Sequence, residues 1–303
     1  MALHDAKLVT DAELAAAAAR LERVESMTET SGRPFRRKAA LQSQAGEKPA
    51  PGRALAKIPQ NRVLAPLPEP WLRLRRKEIG ATPDRVVDLP LVNFHRDVPA
   101  ARAFDILRTR LMQSLKDHGW KRVAIAAPTT GCGTTFTAVN LALSLSRVPG
   151  TRTILMDLNL RAPGIGSALD LDVPCDMRGF LRGDVDAANH ILKCSDTLAV
   201  GLCPEPAFDA AELLHARASA EVLDQMAEDF GADAILYDLP AVLDHDDFAA
   251  FLPQVDGVLL VADGTRTTAA QLRACERILG EATPLLGVFL NRGRPGATET
   301  YAS

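Results

Sequence analysis

Three short stretches of the chain carry residue types that could handle a phosphate. The first is Gly131-Cys132-Gly133-Thr134-Thr135, two glycines around one residue, followed by two hydroxyl side chains. Glycines at this spacing let successive backbone N–H groups converge on an anion. A helix beginning here adds the positive end of its dipole at the same spot. Thr135 stands where a hydroxyl would ligate Mg2+. A loop of this kind should carry lysine where this chain has Thr134. A cation about 4 Å from a phosphate oxygen contributes on the order of 4 kcal/mol at an effective dielectric of 20. Its loss implies about a thousandfold less charge stabilisation in phosphoryl transfer. The backbone cradle survives, which leaves weak binding of a nucleotide such as ATP or ADP.

The second stretch, Asp157-x-Asn159-x-Arg161, and the third, Asp238, each close an apolar run. A carboxylate at the carboxyl end of a strand, facing a phosphate loop, holds Mg2+ or its water. Taken singly, each aspartate reads equally well as a helix cap or turn residue. All three motifs at strand ends, in this order, point to one site. No lysine adjoins the loop, and Arg161 is the nearest cation that could stand in.

These motifs need elements to hold them. After Leu89, short apolar runs alternate with helical patterns: "RVAIAAP", "TRTILMDL", "TLAVGLCP", "DAILYDLP", "DGVLLVAD" and "LLGVFLNR". Runs apolar on consecutive positions suit strands covered by helices on both faces. Thr134–Arg147, Ala211–Phe230 and Thr267–Gly280 have helical period. The alternation predicts an α/β fold with a doubly wound, mostly parallel sheet, its ligands at the strands' carboxyl ends.

The first part of the chain has another texture. Residues 5–28 read as a helix, with a capping box at Thr10-Asp11-Ala12-Glu13 and an apolar face of Leu14, Ala18, Leu21 and Val24. From 29 to 88 the sequence is Pro-rich and basic, with twelve Lys/Arg against three Asp/Glu between Thr30 and Gly80. Such a segment buries too little apolar surface to offset chain ordering, and is expected to be a mostly disordered linker. Arg73, Arg75, Arg76 and Lys77 beside Trp71 read first as a solvated charge run, second as a contact for an anionic surface. The organisation is thus a helix over 1–28, a linker over 29–88, a domain over 89–294 and a short tail over 295–303.

Bulk properties narrow the class. The 303 residues carry a net charge of -3, so the part outside the basic linker is clearly acidic. Five scattered cysteines without a CxxC pair, and six histidines without ligand spacing, argue for reduced thiols in the cytoplasm and against a disulfide frame, zinc or haem. No segment approaches the ~18 apolar residues that cross a bilayer, so any membrane association is expected through a partner or a surface patch.

From about Ala101 to Arg294 the stretches "AFDILRTRL", "GCGTTFTAVNLALSLS", "ILMDLNLRAP", "DMRGFLRGDVD", "AELL", "ILYDLPAVLDHDDFA", "VDGVLLVADGTRTT" and "LLGVFLNR" occur in sequence. In order and spacing they resemble the cytoplasmic catalytic domain of bacterial tyrosine kinases (BY-kinases). These are the CpsD/CapB-like proteins of capsule and exopolysaccharide synthesis, P-loop proteins related to the MinD/ParA ATPases. The resemblance implies that the sheet is of the P-loop NTPase type. It implies Mg2+ at Thr135 and Asp238, with Asp157 holding the metal or accepting the substrate proton. It implies nucleotide contacts from Gly131, Cys132, Gly133, Thr134 and Thr135, with Asn291 near the adenine, and an acidic position at Asp247.

The departures from that family fall on its chemistry. Thr134 replaces the phosphate lysine, and neutral Asn159, a poorer Mg2+ ligand and no general base, replaces an acid. The family's assembly motif, Glu-x-x-Arg-x-x-Arg, appears as Arg102-x-x-Asp105-x-x-Arg108, which puts ring-like self-assembly in question. The tyrosine cluster of the family's tail is reduced to Tyr301, the one candidate phosphoacceptor there, while Tyr237 falls in an expected buried strand. The expected function is a degenerate, non-catalytic or very slow regulator of exopolysaccharide polymerisation and export. It would act through a membrane-embedded chain-length (polysaccharide co-polymerase) protein, in the cytoplasm or at the inner membrane. The alternatives are a working tyrosine autokinase using Arg161 or a partner's cation, and a ParA/MinD-like positioning ATPase. Against the last, and against nucleic acid, the loop lacks that group's extra early lysine.

Overall fold

Two short strands, β1 (Lys7–Leu8) and β2 (Arg75–Arg76), precede the main body of the computed structural model, which describes residues 7–8, 69–80, 91–92, 99–281 and 283–293. The apolar runs then form β3 (Arg122–Ala126), β4 (Thr153–Asp157), β6 (Leu198–Gly201), β7 (Ala234–Asp238), β8 (Gly257–Asp263) and β9 (Leu285–Asn291), with a two-residue β5 (Leu192–Lys193) between β4 and β6. The helices are α1 (Pro70–Arg73), α2 (Pro99–His118), α3 (Thr134–Leu145), α4 (Ile165–Leu169), α5 (Met177–Arg182), α6 (Ala187–His190), α7 (Ala210–His215), α8 (Arg217–Phe230), α9 (Asp247–Phe251) and α10 (Ala269–Leu279).

The strands pair in the order β1-β9-β8-β3-β7-β4-β6-β5-β2. From β9 to β6 every neighbour is parallel, while β1 and β5 run antiparallel to β9 and β6. β3 lies between β7 and β8, and its successor β4 lies beyond β7. The winding reverses around β3, which opens a crevice at its carboxyl end.

Period-two alternation sorts the strand residues between two cores. Val123 and Ile125 of β3, Leu236 of β7 and Leu259 of β8 pack with Phe104, Leu111 and Leu141 of α2 and α3. Ala124, Ile235, Tyr237 and Leu260 face the opposite side, with Phe180, Leu214, Met226, Phe230 and Phe251. Covered on both faces, the central strands have no polar side to alternate with. α3 is enclosed by the sheet and α2, so Thr137 through Leu145 are all buried. Its polar groups are matched: the Asn140 Oδ1 accepts the Val92 N–H at 2.8 Å, and the Ser144 hydroxyl donates to Asp105 at 2.9 Å.

Three expectations need correction. Lys7–Leu8 lie in a strand on β9 rather than in a helix over 5–28, because β9 offers an unpaired backbone edge there; the rest of that stretch lies outside the described residues. Within the expected linker, residues 69–80 are ordered. Trp71 is 2% exposed, donates from Nε1 to the Asp196 carbonyl at 3.0 Å and meets Phe230 edge-on. It is therefore no surface anchor, although Arg73, Arg75, Arg76 and Lys77 around it are exposed. The helical stretch 211–230 is two helices, broken at Ala216, whose ψ of 138° is extended. Among the described residues no helix is long and apolar enough to cross a membrane.

Candidate functional site: a phosphate loop beside two buried carboxylates

β3 ends at Ala126, and a loop carries the chain into α3. Gly131 (φ 85°) and Gly133 (φ 93°) take left-handed conformations that a side chain would strain. Gly133 meets a second demand, because a Cβ there would collide with the Asn291 amide. Asn291, at the end of β9, donates from Nδ2 to the Cys132 carbonyl at 2.9 Å and so lies against the loop itself. Asp244 holds the other end, accepting the Thr130 N–H and hydroxyl at 2.9 and 2.7 Å. Cys132 is buried, its Sγ between the hydroxyls of Thr129 and Thr267. Thr134 and Thr135 open α3, half-buried.

Asp157 and Asp238 are register partners at the carboxyl ends of β4 and β7. Both are fully buried. Asp157 accepts the Gly164 and Ile165 N–H groups through Oδ2, at 3.0 and 2.9 Å. Asp238 accepts the Thr135 hydroxyl through Oδ2 at 2.6 Å. In each carboxylate the other oxygen, Oδ1, is buried without a partner. Burial pushes the Asp157 carboxyl up to about 7, against the backbone N–H groups of Ile165, Gly164 and Asn159. Burial and the neighbouring Asp157 charge push Asp238 well above the carboxylate range, against the Thr135 hydroxyl. Two partnerless carboxylate oxygens beside a hydroxyl form an all-oxygen donor set that fits a hard divalent cation such as Mg2+. A bound cation would also relieve the burial of like charges.

The second motif's other residues do different work. The Asn159 backbone N–H lies close enough to Asp157 to lower that carboxyl without forming one of its hydrogen bonds. Arg161 grips Asp247 with Nε and Nη2, at 2.6 and 2.9 Å, and its Nη1 reaches the Phe208 carbonyl at 3.3 Å. Asp247 is fully buried, and the acidic position that the resemblance implied is the partner of Arg161. In the assembly motif, Asp105 bonds within the chain to Arg108 (3.0 Å), Ser144 and Arg147, while Arg102 is exposed. Tyr237 is buried in β7 with an unpartnered hydroxyl. Tyr301 lies outside the described residues.

Sequence reasoning missed two arginines on the loop. Arg266 donates from Nη2 to the Thr130 carbonyl at 2.9 Å. Arg292 donates from Nη1 to the Gly131 carbonyl at 2.9 Å and to Asp263 Oδ2 at 2.6 Å. Asp263 is buried at the end of β8. Burial works against its charge, but the Thr265 hydroxyl and N–H and the Arg292 guanidinium hold its carboxyl below the ordinary range. The sequence held one faint signal, that Arg292 directly follows Asn291; the neighbourhood of the Asp263 strand and the loop strand comes only from the sheet order.

A scan of protein-family models and a search of curated proteins both give no match. Among solved structures, the chain is similar to the kinase domain of the Escherichia coli tyrosine kinase ETK, with 21% identity and a TM-score of 0.63 over 75% of this chain and 87% of that one. It is similar to the BceF tyrosine kinase domain, with 20% identity and a TM-score of 0.61 over 73% and 92%. The chimerical protein CapA2B2 gives 20% identity and a TM-score of 0.61 over 70% and 98%. A likeness at such identity is one of architecture, and with the loop and strand-end aspartates in place the chain has the P-loop fold of bacterial tyrosine-kinase domains.

Proposed function

We propose that the chain is a BY-kinase-like protein that binds Mg-nucleotide weakly and regulates exopolysaccharide or capsule polymerisation and export, with little or no phosphoryl transfer. The observation that carries this reading is Thr134 at the start of α3, in a loop whose backbone, Thr135 and paired aspartates keep their arrangement. The loop N–H groups and the helix end would bind the phosphates. Thr135, Asp238 and Asp157 would hold Mg2+, which when bound neutralises phosphate charge. Asp157 keeps its proton readily while no cation is present, because burial raises it to about 7. Arg161 is committed to Asp247, which supports impaired chemistry.

The polysaccharide role rests on the resemblance to CpsD/CapB-like proteins, and the partner it implies is a membrane chain-length protein. Asp105 spends its charge on Arg108, Ser144 and Arg147 of its own chain, which supports a self-assembly different from the family's ring.

The test is ATP and ADP affinity with and without Mg2+, for the wild type and for Thr134→Lys. The lysine should tighten binding of the Mg-nucleotide about tenfold or more. Incubation with Mg-ATP should leave Tyr301 unphosphorylated. Robust labelling of Tyr301 would replace this reading by that of a working autokinase.

A further inference from the structure

The loop that lacks its lysine has two other cations on it. Arg266 and Arg292 come from the end of β8 and the end of β9, more than 130 residues away in sequence, and both bond loop carbonyls. The same two side chains flank Asp263, at 3.6 and 2.6 Å. We propose that Arg266 and Arg292 together supply, from within the chain, the positive charge that Thr134 has lost, and that they face the polyphosphate end of a nucleoside di- or triphosphate. This rests on the nucleotide-binding reading above and deepens it.

Charge makes the need concrete. Four carboxylates stand around the loop: Asp244 on Thr130, Asp263 behind the arginines, and the buried pair Asp157 and Asp238. Without a cation Asp244 and Asp263 repel a phosphate, and the buried pair adds to this once it ionises, whatever the loop N–H groups offer. The partnerless buried oxygens of Asp157 and Asp238 point to a cation-bearing ligand there, and Mg2+ with a nucleotide answers to that. The two guanidiniums are the cations that contact the loop among the described residues.

Geometry favours the same role. Arg266 and Arg292 are 55% and 51% exposed, so the guanidinium N–H groups outside these contacts can meet an arriving anion while each arginine keeps its contact with the buried Asp263. Neither uses the whole of its fork in the contacts named, and a guanidinium bonds phosphate oxygens in pairs. Arg292 takes a left-handed backbone (φ 54°), and its N–H donates to the Asn291 Oδ1 at 3.0 Å. Strain of this kind at a side chain aimed onto a binding loop is a mark of a positioned group. Both arginines attach at Thr130 and Gly131, whereas the lost lysine belongs at Thr134, beside the helix start.

The experiment titrates the full chain, with Mg2+, against ATP, ADP and AMP at low and high salt, for the wild type, Arg266→Gln, Arg292→Gln, Arg292→Lys and the double glutamine variant. Each glutamine variant should lose about tenfold in ATP affinity, less in ADP and nothing in AMP. The double variant should lose more, Arg292→Lys should keep most of the affinity, and high salt should shrink the difference. Equal ATP affinity in wild type and double variant would overturn the inference alone. So would tighter ATP binding, which would mark the arginines as a latch on an empty loop, and so would an equal loss for AMP, which would place them at the base. A wild-type chain and a Thr134→Lys chain that both bind no nucleotide would overturn the nucleotide reading and this inference with it.

Discussion

Arg161 and Asp247 form a two-bond pair at 2.6 and 2.9 Å, with the carboxylate fully buried and the guanidinium 29% exposed. The pair joins the loop after β4 to the start of α9 and turns the arginine of the second motif into a structural tie. Arg161→Ala leaves a buried carboxylate without its partner and should cost about 3 kcal/mol in urea denaturation. Nucleotide affinity should move far less, whereas an arginine working on phosphate would show the reverse.

The paired aspartates set a pH and metal dependence. Asp157 rises from an ordinary value of 3.8 to about 7, and Asp238 rises as well. Groups raised on folding stabilise the protonated fold at low pH, and that contribution is lost as pH climbs through the folded value. The metal-free protein should therefore lose melting temperature from these groups between about pH 4 and pH 7, and Mg2+ should restore it above pH 7. Asp238→Asn should raise the metal-free melting temperature by about 3 °C and remove the response to Mg2+.

His190 acts in the opposite direction. It is 1% exposed, stacked on Phe180 at 4.6 Å, with neither ring nitrogen partnered. Burial lowers it from 6.5 to about 4, Asp176 opposing and Arg75 assisting. Its neutral ring supports the fold fully above pH 6.5, and on the order of 3 kcal/mol is lost as pH falls through the folded value. His190→Leu should remove that acid limb from a plot of melting temperature against pH.

Trp71→Ala tests whether residues 69–80 belong to the folded body. The ring fills a core position, stacks under Arg152 at 5.5 Å and meets Phe230 at 6.4 Å. The substitution should cost about 3 kcal/mol, and limited proteolysis should then cut near Arg73–Lys77. A variant as stable and as resistant as the wild type would return this stretch to the status of a linker.

What could be read in advance follows the range of the interactions. Runs such as "TRTILMDL" and "DGVLLVAD" are strands because burial on both faces demands apolar residues at consecutive positions, a local signal. The loop glycines and the aspartates ending β4 and β7 were legible for the same reason. The break at Ala216 was not, since helical period continues on both sides of it. Trp71 looked like linker because its neighbours are basic, while its partners, Phe230 and Asp196, lie more than 120 residues away. Arg266 and Arg292 were invisible as loop residues because only sheet order brings the ends of β8 and β9 to the end of β3.

The placement of β1 and β2 has a consequence for handling the protein. These two-residue rungs sit at opposite rims of the sheet, and both come from the chain ahead of Pro99. A fragment trimmed to begin at Pro99 would leave the outer ladders of β9 and β5 bare, and bare ladders recruit other chains. Lys7–Leu8 and Arg75–Arg76 thus form a selvedge that stops the weave from joining its neighbour.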